Sequence, residues 1–154
     1  MQPKVPFAAR PSPTSGYVGG LFAKDTIVGF GFSLRNERTQ EEYVLEVEDN
    51  AVGLIAVPPG RYRVASWVTW AALTGEQLTR QAISPGVLFG QSFDVAAGQV
   101  MFLGSWFADR HMGFGSNAFT IASHRITEDE AVAAFQAAYP GFADLPLRCL
   151  ICAP

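Results

Sequence analysis

Apolar and polar residues alternate along most of this chain with a period of two, the spacing that sends successive side chains to opposite faces of a β-strand. The alternation runs over Gly16 to Ala23, Ile27 to Arg35 and Glu42 to Glu48. It breaks at Lys24-Asp25 and at the polar run Asn36 to Glu41, as hairpin connections do. Between Ile27 and Leu34, one face carries Val28, Phe30, Phe32 and Leu34, and the other carries Gly29, Gly31 and Ser33. In the third segment Tyr43, Leu45 and Val47 alternate with acids, the pattern of a half-solvated strand. Leu54 to Val57, Arg61 to Trp70, Phe89 to Val95 and Val100 to Phe107 extend the series. Gly113 to Ile126 reads as a further strand or pair, and Leu147 to Ala153 as the last strand. Ala71 to Ser84 fits either a loop or a single helical turn.

Two turns punctuate this pattern. Pro58-Pro59-Gly60 cannot continue a ladder, so it ends one strand and feeds the next. In that next strand simple alternation puts Tyr62, Val64, Ser66 and Val68 on one face, and Arg61, Arg63, Ala65 and Trp67 on the other. Ala97-Gly98 makes the second turn. One helix is predicted, over Thr127 to Tyr139. Thr127 is its N-cap, Glu130 stands three residues later as in a capping box, and Glu128, Asp129 and Glu130 face the positive end of the helix dipole. Pro140-Gly141 stops it. The fold class expected is mainly β, an antiparallel sandwich of about 7–9 strands with one C-terminal helix. Residues 16–154 form a single domain on this reading, and residues 1–15, with Pro3, Pro6, Pro11 and Pro13, form a semi-rigid tether.

Composition narrows the function more than it names one. The chain is 49% hydrophobic and only 16% charged, so it has ample apolar surface for a core and few charges to cover its outside. Its net charge is −3, and no Lys/Arg cluster is denser than Arg61 with Arg63, which argues against nucleic-acid binding or electrostatic attachment to an anionic membrane. No apolar run approaches the roughly 18 residues of a spanning helix. The first residues lack the apolar core of a signal peptide, which leaves two origins open: a cytosolic protein, or the mature part of an exported one.

Candidate chemistry is sparse. Cys149 and Cys152 are the only cysteines. In an extended strand, residues three apart lie about 10 Å apart and point to opposite faces, too far for a disulfide. Plain thiols, a structural disulfide across a terminal turn, and a redox or metal pair are all carried forward. His111 and His124, with Asp94 and Asp109, are the residues from which an active site could be assembled, but the histidines show no HxH or HxxxH spacing. Gly90-Gln91-Ser92-Phe93-Asp94 lacks the second glycine of a nucleophile elbow. The acids Glu41, Glu42, Glu46, Glu48 and Asp49 are the solvated edge of a hairpin. The aromatics Trp67, Trp70, Trp106 and Phe107 are the better lead. They either lie under the C-terminal helix or line a groove for a peptide, glycan or lipid chain.

Pro59-Gly60-Arg61-Tyr62-Arg63-Val64, with Phe93-Asp94-Val95-Ala96-Ala97-Gly98-Gln99-Val100-Met101-Phe102-Leu103-Gly104, resembles transthyretin-like and carboxypeptidase-regulatory-like β-sandwiches. It is also similar to bacterial envelope lipoproteins of uncharacterised function built on that plan. The resemblance covers about Gly53 to Trp106 and implies a prealbumin-like fold, no catalytic residues and no cofactor. It implies a binding or assembly module at the cell envelope or periplasmic face, with an envelope protein, peptide or glycan as partner. A lipid anchor would have to lie upstream, because the chain has no lipobox cysteine. The alternatives are a cytosolic domain that oligomerises by strand addition and, last, an enzyme using Asp94, Asp109, His111 and His124.

Overall fold

The computed structural model describes residues 5–25, 29–46, 51–70, 74, 76–82, 90–113 and 116–152. These residues are mainly β, with two sheets packed as a sandwich and, among them, a single α-helix near the C-terminus. The strands are β1 (Gly16–Asp25), β2 (Gly29–Asn36), β3 (Glu42–Glu46), β4 (Ala51–Val57), β5 (Gly60–Trp70), β6 (Gln77–Ala82), β7 (Phe93–Val95), β8 (Val100–Gly113), β9 (Ser116–His124) and β10 (Leu147–Cys149). Helix α1 spans Glu128–Ala138 and is followed by a short 3-10 helix, Pro140–Phe142.

The first sheet runs β10-β8-β1-β4, with β9 paired to β8 beyond β10. Both β1 and β10 lie parallel to β8, while β4 and β9 are antiparallel to their neighbours. The second sheet is antiparallel in the order β3-β2-β5-β6, with β7 on the first residues of β5. Ten strands is slightly more than the alternation suggested. The excess comes from β6, whose polar sequence Gln77–Ala82 hides a strand that pairs with β5 through register Ser66↔Ala82 to Trp70↔Gln77.

Two of the three register shifts among the described strands set which side chains meet. Between β2 and β5 the register slips at Ser33/Leu34, so that Val64 pairs with Leu34 but Ser66 pairs with Ser33. One extra residue reverses the alternation beyond it. Trp67 therefore turns inward with Phe32, its partner in register, and not outward with the arginines as simple alternation predicts. The second bulge lies opposite Gly19 to Leu21 on β8, where Gly104 has φ +103°. A Cβ there would stand 2.8 Å from the Ile151 carbonyl oxygen, so the backbone beside it comes closer than any other residue permits.

The sandwich has two apolar layers. Between the sheets lie Val18, Phe22, Phe32, Leu34, Leu45, Ile55, Tyr62, Val64, Phe93, Leu103 and Trp106, all buried. On the outer face of the first sheet, α1 and the 3-10 helix bury Ala131, Phe135, Tyr139 and Phe142 against Tyr17, Val52, Leu54, Val100 and Phe102. The capping box closes as expected: Thr127 Oγ1 accepts from the Glu130 N–H at 3.2 Å, and Glu130 Oε1 accepts from the Thr127 N–H at 3.1 Å. Tyr62 fixes the turn before it. Its hydroxyl donates to the Pro58 carbonyl at 2.6 Å, a tyrosine-corner contact that ties the Pro-Pro-Gly segment to β5.

The Pro-rich segment, expected as a semi-rigid tether, is pinned to the sandwich at Val5, while residues 6–15 are exposed or half-buried. Val5 is buried, its N–H donates to the Leu54 carbonyl at 2.9 Å, and its own carbonyl accepts from the Tyr139 hydroxyl at 2.8 Å. Few apolar residues are enough to hold a segment that already has little conformational entropy to lose.

Candidate functional site

The four aromatic candidates do not form one surface. Trp106 is 9% exposed and stands in the inter-sheet core, 6.0 Å from the Phe32 ring, with its indole N–H donating to the Leu103 carbonyl at 2.9 Å. Trp67 is half-buried and packs against the same core. Phe107 lies on the outer face of the first sheet and stacks on the exposed His124, 5.9 Å between ring centres. The side chain of Trp70 lies outside the described residues. The groove expected from these rings thus gives way to a core contribution from Trp106 and Trp67, because each bulge turns a strand by one position. The helix covers the face of Tyr17 and Phe102 instead.

The acid–base candidates fall at three separate places in the fold. Asp94 belongs to β7 of the second sheet, where it pairs with Arg61 at 3.8 Å. Asp109 and His111 are positions on β8, and His124 on β9 is in register with Ser105. Six residues of strand separate positions 105 and 111, roughly 20 Å.

Cys149 and Cys152 are joined as a disulfide, with their Cα atoms 5.7 Å apart. The extended geometry assumed from the sequence ends at Cys149, where β10 ends. The chain then turns, which brings together two cysteines that a continued strand would hold apart. The turn is held by the Leu150 N–H donating to the Phe102 carbonyl at 2.8 Å, and by Gly104 beneath Ile151.

Two recesses lie among the described residues of this scaffold. One, of about 500 Å³, is apolar and is lined by Phe7, Leu21, Val52 and the alanines Ala134, Ala137 and Ala138. Phe7 at its rim is half exposed and rests on the Tyr139 ring at 5.1 Å. The other, of about 290 Å³, lies between β7 and β10 and is lined by Gln91, Ser92, Asp94, Arg148 and Cys149.

The outer face of the second sheet carries the densest polar array among the described residues. In one row across it, Glu42 of β3, Arg35 of β2 and Arg63 of β5 stand side by side in register. Arg35 pairs with Glu42 at 3.1 Å, and Arg80 of β6 reaches the same carboxylate at 3.5 Å while donating to Ser66 Oγ at 3.0 Å. Two positions along β5 from Arg63, Arg61 has Glu37 at 3.4 Å and Asp94 at 3.8 Å. Ser92 Oγ donates to Glu37. The sequence offered one hint of this array, the pair Arg61 and Arg63 on alternate positions. Arg35 and Arg80 are remote in sequence, and only strand pairing brings them to it.

At the turn end of that sheet the Tyr43 hydroxyl donates to the Glu41 carboxylate at 2.8 Å. Loss of hydration, together with that carboxylate, pushes the Tyr43 phenol up to about 12. Burial likewise raises Tyr62.

No family model and no curated protein matches the chain. A solved structure, that of a leucine-rich repeat protein from Bacteroides thetaiotaomicron VPI-5482, is similar over 61% of this chain at 18% identity and a TM-score of 0.37. The chain spans 14% of that structure's length, and a likeness this slight carries no argument about fold or activity.

Proposed function

We propose that this chain is an exported, transthyretin-like β-sandwich of the bacterial cell envelope that works as a non-enzymatic binding or assembly module. The observation that supports the reading best is the Cys149–Cys152 bond. Disulfides persist in oxidising compartments and are rare in the reducing cytosol. This one uses both cysteines of the chain. It closes the strand end at β10 and lies at no helix N-terminus of the kind that activates redox pairs. A rigid sandwich with an N-terminal segment pinned at Val5 and a charged outer face suits a module that holds a partner.

The thiol state in the source cells tests the reading. Cells are quenched in acid, and the protein is alkylated before and after reduction and weighed. Two thiols blocked until reduction, with the protein recovered in the envelope fraction, are expected. Two thiols free in the cytosolic fraction would overturn export and favour a cytosolic domain that oligomerises by strand addition. Replacing both cysteines with Ala removes a loop of about four residues, for which chain entropy predicts a loss of about 2 kcal/mol.

A further inference from the structure

Among the described residues, the guanidinium groups on the outer face of the second sheet outnumber the carboxylates that meet them. We propose that Arg35, Arg63 and Arg80 form a binding site for an oxyanion, a carboxylate or phosphate group carried by a small ligand. Arg35 and Arg63 are direct partners in register on neighbouring strands, and like charges placed so oppose pairing unless an anion lies between them. Glu42 does not fill that role for Arg63. Its Oε1 is shared between Arg35 at 3.1 Å and Arg80 at 3.5 Å, and no ion pair joins it to Arg63. Among the described residues no carboxylate pairs with Arg63, and its Nη1 is buried without a hydrogen-bond partner.

A second orphan lies in the next row. Ser33 is fully buried, and its hydroxyl has no partner. It is in register with Ser66, the residue whose Oγ receives Arg80. Buried polar groups left unpaired cost free energy, which an incoming acceptor recovers. The guanidinium is the group suited to the task, because its planar fork of donors matches the two oxygens of a carboxylate or phosphate. The side chains of Arg35 and Arg80 are 36% and 40% exposed, so these two guanidinium groups reach solvent at the edge of the buried Arg63 Nη1 and Ser33 Oγ. Arg61, on the same strand and face, shows the contrast: it has two acids of its own.

The inference rests on the proposed function only in treating the chain as a binding module. The anion titration is independent of the thiol assay, so either can fail alone. The protein is titrated with inorganic phosphate, and separately with succinate, at constant ionic strength against chloride, and followed by amide and arginine side-chain NMR. Saturable shifts confined to the rows around Ser33, Arg35, Arg63, Ser66 and Arg80 are expected. Phosphate alone, succinate alone or both saturating each supports the site and names the headgroup. Losing one bidentate charge-assisted contact in Arg63→Met weakens binding about tenfold or more, whereas Arg61→Met stays within about twofold. Scattered shifts that do not saturate, or equal binding by Arg63→Met, overturn the site. Should Arg63→Met fail to fold, the shift map of the unaltered protein decides.

Discussion

Replacing Tyr139 by Phe tests how the N-terminal segment is held. The Tyr139 side chain is fully buried, and its hydroxyl donates at 2.8 Å to the carbonyl of Val5, 134 residues away in sequence. Phe keeps the ring contacts with Phe7, Phe135 and Phe142 at 5.1, 5.5 and 5.7 Å, so no cavity opens. What is lost is the hydrogen bond to Val5, whose carbonyl is left without that donor. That combination costs about 1–3 kcal/mol. With a urea m-value of about 2 kcal/mol/M, a loss near the middle of that range lowers the unfolding midpoint by about 1 M. Hydrogen exchange localises the effect. The Val5 N–H, bonded to the Leu54 carbonyl at 2.9 Å, should exchange about tenfold faster for each 1.4 kcal/mol lost locally. An unchanged midpoint, with Val5 exchanging as fast as a free peptide in the unaltered protein, would refute the docked segment and restore the tether.

Trp106→Ala should cost about 3–5 kcal/mol in denaturant unfolding, as for other buried large-to-small changes, and Trp67→Ala less, because Trp67 keeps solvent contact; equal small losses would place Trp106 at the surface. Gly104→Ala forces a side chain into a backbone with φ +103° and against the Ile151 carbonyl, and should destabilise by about 1–3 kcal/mol in a thermal melt; an unchanged melt would contradict the bulge. The Tyr43 phenol holds its proton more tightly when folded, so its contribution to stability is full below pH 10 and is lost as the pH rises toward about 12. Tyr43→Phe should flatten the stability profile in that alkaline window. An unaltered profile there would mean that the Tyr43–Glu41 bond does not hold in solution.

Much of the fold was legible in the order of residues. The two-residue alternation and the turns between its runs marked β1, β2, β3 and β5, although β1 is buried on both faces, with Tyr17 under the helix and Val18 between the sheets. The capping box at Thr127 and Glu130 marked α1 to within a residue, because its signal lies wholly within one turn. The polar strand β6 escaped detection because its pairing with β5, not its own hydrophobicity, makes it a strand. The anion-binding array was hidden for a related reason: Arg35, Arg63 and Arg80 become neighbours through inter-strand register, which no local pattern encodes.

The sequence by itself determined the class of object, a β-rich domain with a capped C-terminal helix, since periodicity, turn residues and caps act over a few residues. The tertiary structure decided where the chemistry lies. A bulge of one residue at Ser33/Leu34 turned Trp67 inward, and a second at Gly104 made room for Ile151. The turn after Cys149 brought two sulfurs together that an extended chain would keep apart. In a sheet every side chain's direction depends on counting residues correctly from the last fixed pair. A single inserted residue, invisible in composition and set only by the partner strand, therefore moves a candidate site from the surface to the core.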